Sequence, residues 1–87
     1  MLGHHNMQII VEGCLLPEAW DRAFSITALV LACDDEREFR VANLKEHREL
    51  LALCHQFIRA KGTVRTENGK ELLEITAFRP LDIPKAP

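Results

Sequence analysis

The chain has no tyrosine and one tryptophan, and aromatic residues make up only 6% of its 87 residues. Little material is left for the ring platforms on which proteins stack unpaired bases. There is one serine, Ser25, outside any G-x-S-x-G context, and no glycine-rich phosphate loop. Neither a hydrolase elbow nor a nucleotide cradle is encoded, and no enzyme is expected. No charge dominates: 11 Lys and Arg stand against 13 Asp and Glu, a net charge of −2. That disfavours a strongly cationic nucleic-acid binder but leaves room for a local basic patch. The longest apolar run, Ala28 to Cys33, is far too short for a membrane span, so no membrane association is expected. The start, Met1 to Asn6, lacks the basic and apolar regions of a secretory signal. The three cysteines, Cys14, Cys33 and Cys54, include no C-x-x-C and make a poor disulfide framework. They suit a reducing compartment, and a cytoplasmic location with buried, reduced thiols is expected.

What the chain does have is a hairpin signal. Asn68-Gly69 stands between two β-prone runs, and both residues tolerate the positive φ of a two-residue turn. With these two as the turn, Val64 faces Leu73, Gly62 faces Ile75 and Ala60 faces Ala77, an inward set. The other face pairs Arg65 with Leu72, Thr63 with Glu74, Lys61 with Thr76 and Arg59 with Phe78. A slip of one residue would exchange the faces.

Upstream, Gln8 to Leu16 reads as a first strand with a bend at Gly13, and Pro17 to Arg22 reads as a loop. Phe24 to Cys33 is a second strand. Phe24, Ile26, Ala28, Val30 and Ala32 form one face, taken as the core side. Ser25, Thr27, Leu29, Leu31 and Cys33 form the other. Asp34 to Arg37 is a charged turn, and Glu38 to Ala42 a third strand with Phe39 and Val41 inward. Asn43 reads as a helix N-cap with Glu46 at the capping-box position, and apolar spacing predicts a helix over Asn43 to Gln56. Strand four and the hairpin follow. One domain is expected over residues 8–82. Residues 1–7 are expected to be a flexible lead, whose His4-His5 pair reads as a tag remnant or a weak metal ligand. Residues 83–87 form a loose tail.

The order strand, strand, strand, helix, strand, strand resembles the OB-fold, a mainly β five-stranded Greek-key barrel with one α-helix between strands three and four. The segment Ala60-Lys61-Gly62-Thr63-Val64 is similar to the strand-four stretch of small stand-alone bacterial OB domains. A five-stranded meander with a helix on one face is the competing fold. The resemblance implies a non-catalytic module binding single-stranded nucleic acid across strands two and three and the loops joining strands one–two and four–five. It places Trp20, Arg22, Arg40 and Lys70 near that surface, together with Ser25, Thr27, Leu29 and Glu38.

The residues themselves offer a second surface. Arg59, Lys61 and Arg65 form a basic stripe, with Phe78 opposite Arg59 and Lys70 at the turn. This is a phosphate-tracking surface with one stacking ring, or a solvated face with Phe78 under the Arg59 stem. Leu29 and Leu31 make strand two apolar on both faces, which calls for cover by the helix or by a partner. A protein-assembly module, as a homodimer or a subunit of a complex, is therefore the alternative function. His47 and Cys54 are about 10 Å apart along a helix, too far for one metal, so no metal or cofactor is expected.

Overall fold

The computed structural model describes residues 7–81. It contains β1 (Met7–Trp20), β2 (Ile26–Cys33), β3 (Glu38–Val41), two short 3-10 turns (Leu44–Glu46 and Arg48–Leu53), β4 (Phe57–Glu67) and β5 (Lys70–Pro80). The strands close into a barrel in the order β1-β2-β3-β5-β4. All neighbours are antiparallel except β3 and β5, which are parallel. The barrel is mainly β and consistent with an OB-like topology. The expected tail and residues 1–6 of the expected lead lie outside the described residues, while Met7 already belongs to β1.

One long strand serves both sides of the barrel. Met7 to Cys14 pair with β4, and Gly13 to Trp20 pair with β2. The switch falls at Gly13, where an added Cβ would lie 2.5 Å from the Ala32 carbonyl oxygen. Only glycine admits so close an approach. Contrary to the sequence reading, the strand runs on through Pro17 to Trp20. Past Cys14 its ladder is with β2 alone, so the missing proline N–H costs no pairing to β4.

The core holds Leu15, Leu29, Leu31, Phe39, Val41, Leu50, Ile58, Ala60, Leu73 and Ile75. Leu29 and Leu31 are fully buried, which corrects their placement on an interface. From Ala28 to Cys33 the faces of β2 are reversed relative to the sequence reading, while Ile26 packs against the core as expected and Thr27 is exposed. Pairing of Leu31 with Leu15 and Phe39 turns the odd-numbered side inward, and Ala28, Val30 and Ala32 lie half-buried on the outside. Phe24, expected in the core, precedes the strand and is 86% exposed.

The β1–β2 turn explains Phe24. Asp21 N–H donates to the Ser25 carbonyl (2.9 Å), and Phe24 N–H donates to the Asp21 carbonyl (3.1 Å). The Asp21 carboxylate accepts from the N–H groups of Ala23 (2.8 Å) and Ser25 (3.0 Å). This three-residue loop needs a left-handed residue at its last position, and Phe24 takes it with φ 63°. A bulky residue there costs roughly 1–2 kcal/mol relative to its relaxed backbone. Phe24→Gly is therefore expected to raise the urea midpoint by about 1 kcal/mol of stability, and an unchanged or lower midpoint would show that the ring contributes to the fold.

The expected α-helix is absent. In its place are the two 3-10 turns, separated at His47 by non-helical backbone (φ −135°, ψ 61°). Asn43 makes no cap. Its carboxamide instead accepts from Ile75 N–H (2.9 Å) and donates to the Ile75 carbonyl (2.7 Å). The β3–β5 ladder ends with Ala42 N–H on the Leu73 carbonyl (2.8 Å), so Asn43 adds one further rung with a side chain that imitates a peptide. The Nε2 of His47 donates to the same Ile75 carbonyl (2.9 Å). Two tethers four residues apart hold the segment over the barrel end, and Leu50 plugs it. Helices this short are marginal alone, so tertiary bonds override the helical spacing.

The hairpin forms around Asn68 (φ 52°) and Gly69 (φ 78°), and its pairing follows the expected register from Glu67–Lys70 to Gly62–Ile75. There it shifts. Lys61 pairs with Ala77, Ala60 with Phe78 and Arg59 with Arg79, leaving Thr76 as an extra residue on β5. The predicted pairs Ala60–Ala77, Lys61–Thr76 and Arg59–Phe78 are thereby corrected. The Thr76 hydroxyl donates to the Lys61 carbonyl (3.1 Å), so the bulge is held from both sides, by Thr76 towards β4 and by Asn43 towards β3.

Candidate nucleic-acid interface

The barrel distributes the eight candidate side chains over separate surfaces. Arg40 and Lys70 share a depression of about 400 Å³ between β2, β3 and the β4–β5 turn. This is the surface to which the resemblance assigned the ligand. Its walls carry Glu18, Glu36, Glu38 and Glu71 against Arg37, Arg40 and Lys70. The cations are also engaged: Arg40 Nε donates to Glu18 (2.6 Å), and Arg37 lies 3.4 Å from Glu71. An acidic balance and ion-paired arginines disfavour phosphate there.

Trp20 and Arg22 sit at the end of β1 and in the turn beyond it. Trp20 pairs with Ile26 and is 54% exposed, so it is a strand residue with an open ring rather than a loop residue. Arg22 is exposed. Arg65 is held by its own neighbours, with Nε 3.2 Å from Glu67 and Nη1 4.0 Å from Glu74.

The third surface brings Arg59, Lys61 and Phe78 together with Ile10, Ala77 and Arg79 around a depression of about 230 Å³. Strand alternation builds it. The β1–β4 ladder sets Ile10 beside Lys61 and Glu12 beside Arg59. The β4–β5 ladder sets Ala77 and Arg79 on the far side of the same two residues. The bulge at Thr76 decides this membership, because without it Thr76 and Phe78 would occupy those places. Phe78 is consequently not the open platform expected. It is half-buried, packs against the core, and meets the His47 ring edge-on with centroids 5.7 Å apart.

Arg59 is paired with Glu12 through Nε (2.7 Å). Lys61 and Arg79 have no carboxylate within 4.0 Å among the described residues. The groove therefore has an apolar floor, Ile10 and Ala77, between three cations and one acid. Ile10, Ala77 and Arg79 were missed in the sequence. Ile10 was legible by alternation, lying between outward Gln8 and Glu12; Ala77 and Arg79 were not, because nothing local announces the bulge.

The cysteines are free and half-buried rather than largely buried. Burial pushes the Cys33 thiol up, with Asp35 adding to the effect, and burial with nearby Cys14 does the same for Cys54. Neither is an activated nucleophile. Among the described residues no three His, Cys, Asp or Glu side chains converge on a metal position, and no helix is long and apolar enough to cross a membrane. A scan against protein-family models finds no match to this chain, and a search of the curated proteins finds none either.

Proposed function

We propose that this protein is a non-catalytic OB-type module of the cytoplasm that binds single-stranded nucleic acid on the outer face of β1, β4 and β5. The observation that carries this reading is the convergence of Arg59, Lys61 and Arg79 on the apolar floor of Ile10 and Ala77. Cations spaced along neighbouring strands track a phosphate backbone, and an apolar floor accepts bases or sugars without reading their edges. Affinity is modest because no exposed aromatic ring lies in the groove. The closed β1-β2-β3-β5-β4 order supports the OB assignment, and three free thiols accord with a reducing compartment.

Fluorescence anisotropy with labelled single-stranded DNA and RNA tests the proposal. With Arg59 held by Glu12, contacts from Lys61 and Arg79 give a log–log salt slope of about −1.4, and Lys61→Ala or Arg79→Ala should flatten it by roughly 0.7 while weakening all sequences alike. Trp20→Ala should change nothing. Loss of binding on Arg40→Ala or Lys70→Ala, with Lys61→Ala silent, would move the ligand to the β2–β3 face. Absence of any salt-sensitive binding would end the nucleic-acid reading.

A further inference from the structure

The ladders of β1, β4 and β5 set three charged side chains in one row on the outer face. Glu12 lies opposite Arg59, and Arg59 lies opposite Arg79. Arg59 and Arg79 are thus a like-charge pair directly across two strands. Sheet geometry puts the Cβ atoms of such a pair about 5 Å apart, an arrangement that opposes strand pairing. Lys61 adds a third cation two residues along β4, on the same face. Among the described residues, one carboxylate lies within 4.0 Å of any of the three, that of Glu12. It approaches Arg59 from the side of β1 and leaves Arg79 unanswered. The bulge at Thr76 creates the pair, since an unbroken register sets Phe78 opposite Arg59. Folding gains nothing from two facing guanidinium groups, whereas an anion held between them turns their repulsion into attraction.

The Glu12 contact gives the chemistry of such an anion. Nε and Nη2 of Arg59 both converge on Oε2 of Glu12, so the guanidinium fork holds a single anionic oxygen. A phosphate oxygen offers the fork the same charge and the same acceptor. The pair is also open to water, with 44% of the Arg59 side chain and 48% of the Glu12 side chain exposed. Ion pairs so exposed contribute little to stability, and a phosphate displaces the carboxylate at small cost.

We propose that Arg59 and Arg79 clamp one phosphate of the bound strand, and that Glu12 holds its place on Arg59 in the free protein. The owner of that phosphate rests on the nucleic-acid reading; the clamp itself does not, and two measurements separate them. The first uses inorganic phosphate alone. Melting temperatures of the wild type, Glu12→Gln and Glu12→Gln/Arg59→Ala are compared in phosphate and in chloride at matched ionic strength. The general stabilisation by phosphate is common to all three. Beyond it, phosphate should raise the melting temperature of Glu12→Gln more than that of the wild type, and the double variant should lose the excess. The second measurement repeats the anisotropy titration. Glu12→Gln should tighten oligonucleotide binding by roughly twofold to fivefold, the strength of an exposed ion pair. It should also steepen the salt slope from about −1.4 to about −2.1, and Arg59→Ala on that background should restore about −1.4. If phosphate favours Glu12→Gln but no oligonucleotide binds, the clamp stands and the nucleic-acid reading falls. If oligonucleotide binds with the same slope with and without Glu12, the reading stands and the clamp falls. Equal phosphate shifts in the wild type and Glu12→Gln, or a Glu12→Gln effect that survives Arg59→Ala, would each overturn the clamp.

Discussion

Asn43→Leu is expected to lower the stability of the fold by about 2–4 kcal/mol, read as a fall in the urea midpoint at unchanged slope. The leucine is close in size but can neither accept from Ile75 N–H nor donate to the Ile75 carbonyl. Both groups sit at a fully buried position, and each unsatisfied polar group there costs roughly 1–3 kcal/mol. His47 still reaches the carbonyl through Nε2, which keeps the loss below the sum of the two maxima. An ordinary helix cap would cost only about 1 kcal/mol on removal. A loss near that value would show that Asn43 does not carry the last rung of the β3–β5 ladder. The consequence reaches the groove, because the same rung fixes the backbone beside the bulge that delivers Ala77 and Arg79 to the outer face.

Gly62→Val is expected to cost about 3 kcal/mol or more, beyond the usual range for an overpacked core. A Cβ at Gly62 would lie well inside 3.0 Å of the Glu74 carbonyl oxygen, a separation that real Cβ atoms essentially never show. The obstacle is backbone, so no rotamer change relieves it. β4 and β5 would have to part at the step where the ladder changes register. Even Gly62→Ala should be costly, since the clash begins at Cβ. Thermal melts of both variants decide the matter. If valine were tolerated as well as glycine, the close approach would not be a constraint on this barrel. Gly13, with its Cβ position 2.5 Å from the Ala32 carbonyl oxygen, should behave in the same sense.

These two sites divide what was legible from what was not. Asn68-Gly69 set the hairpin by itself, because few residue pairs accept two successive positive φ values and the apolar alternation leaves one register open. The inward Phe39 and Val41 and the special place of Gly13, where β1 passes from β4 to β2, were equally readable, since period-two alternation and a glycine inside a strand are local signals. The β2 faces were not. Leu29 and Leu31 alternate with Ala28, Val30 and Ala32, both sets are apolar, and pairing with Leu15 and Phe39 decides which set is inside. The segment after Asn43 has helical spacing, yet Asn43 and His47 find Ile75, and long-range hydrogen bonds outweigh the small propensity of a short helix.

The candidate groove shows the same division. Arg59 and Lys61 were in view because they share the outward face of one strand. Their company was decided elsewhere: the extra residue Thr76 turns Phe78 partly into the core and sets Ala77 and Arg79 opposite Lys61 and Arg59. The sequence determined the strands, their turns and a basic stripe, because these depend on neighbours within a few positions. Only the tertiary structure decided which face of β2 is core, where β5 bulges and which cations meet, because each depends on closing a barrel through residues far apart in the chain.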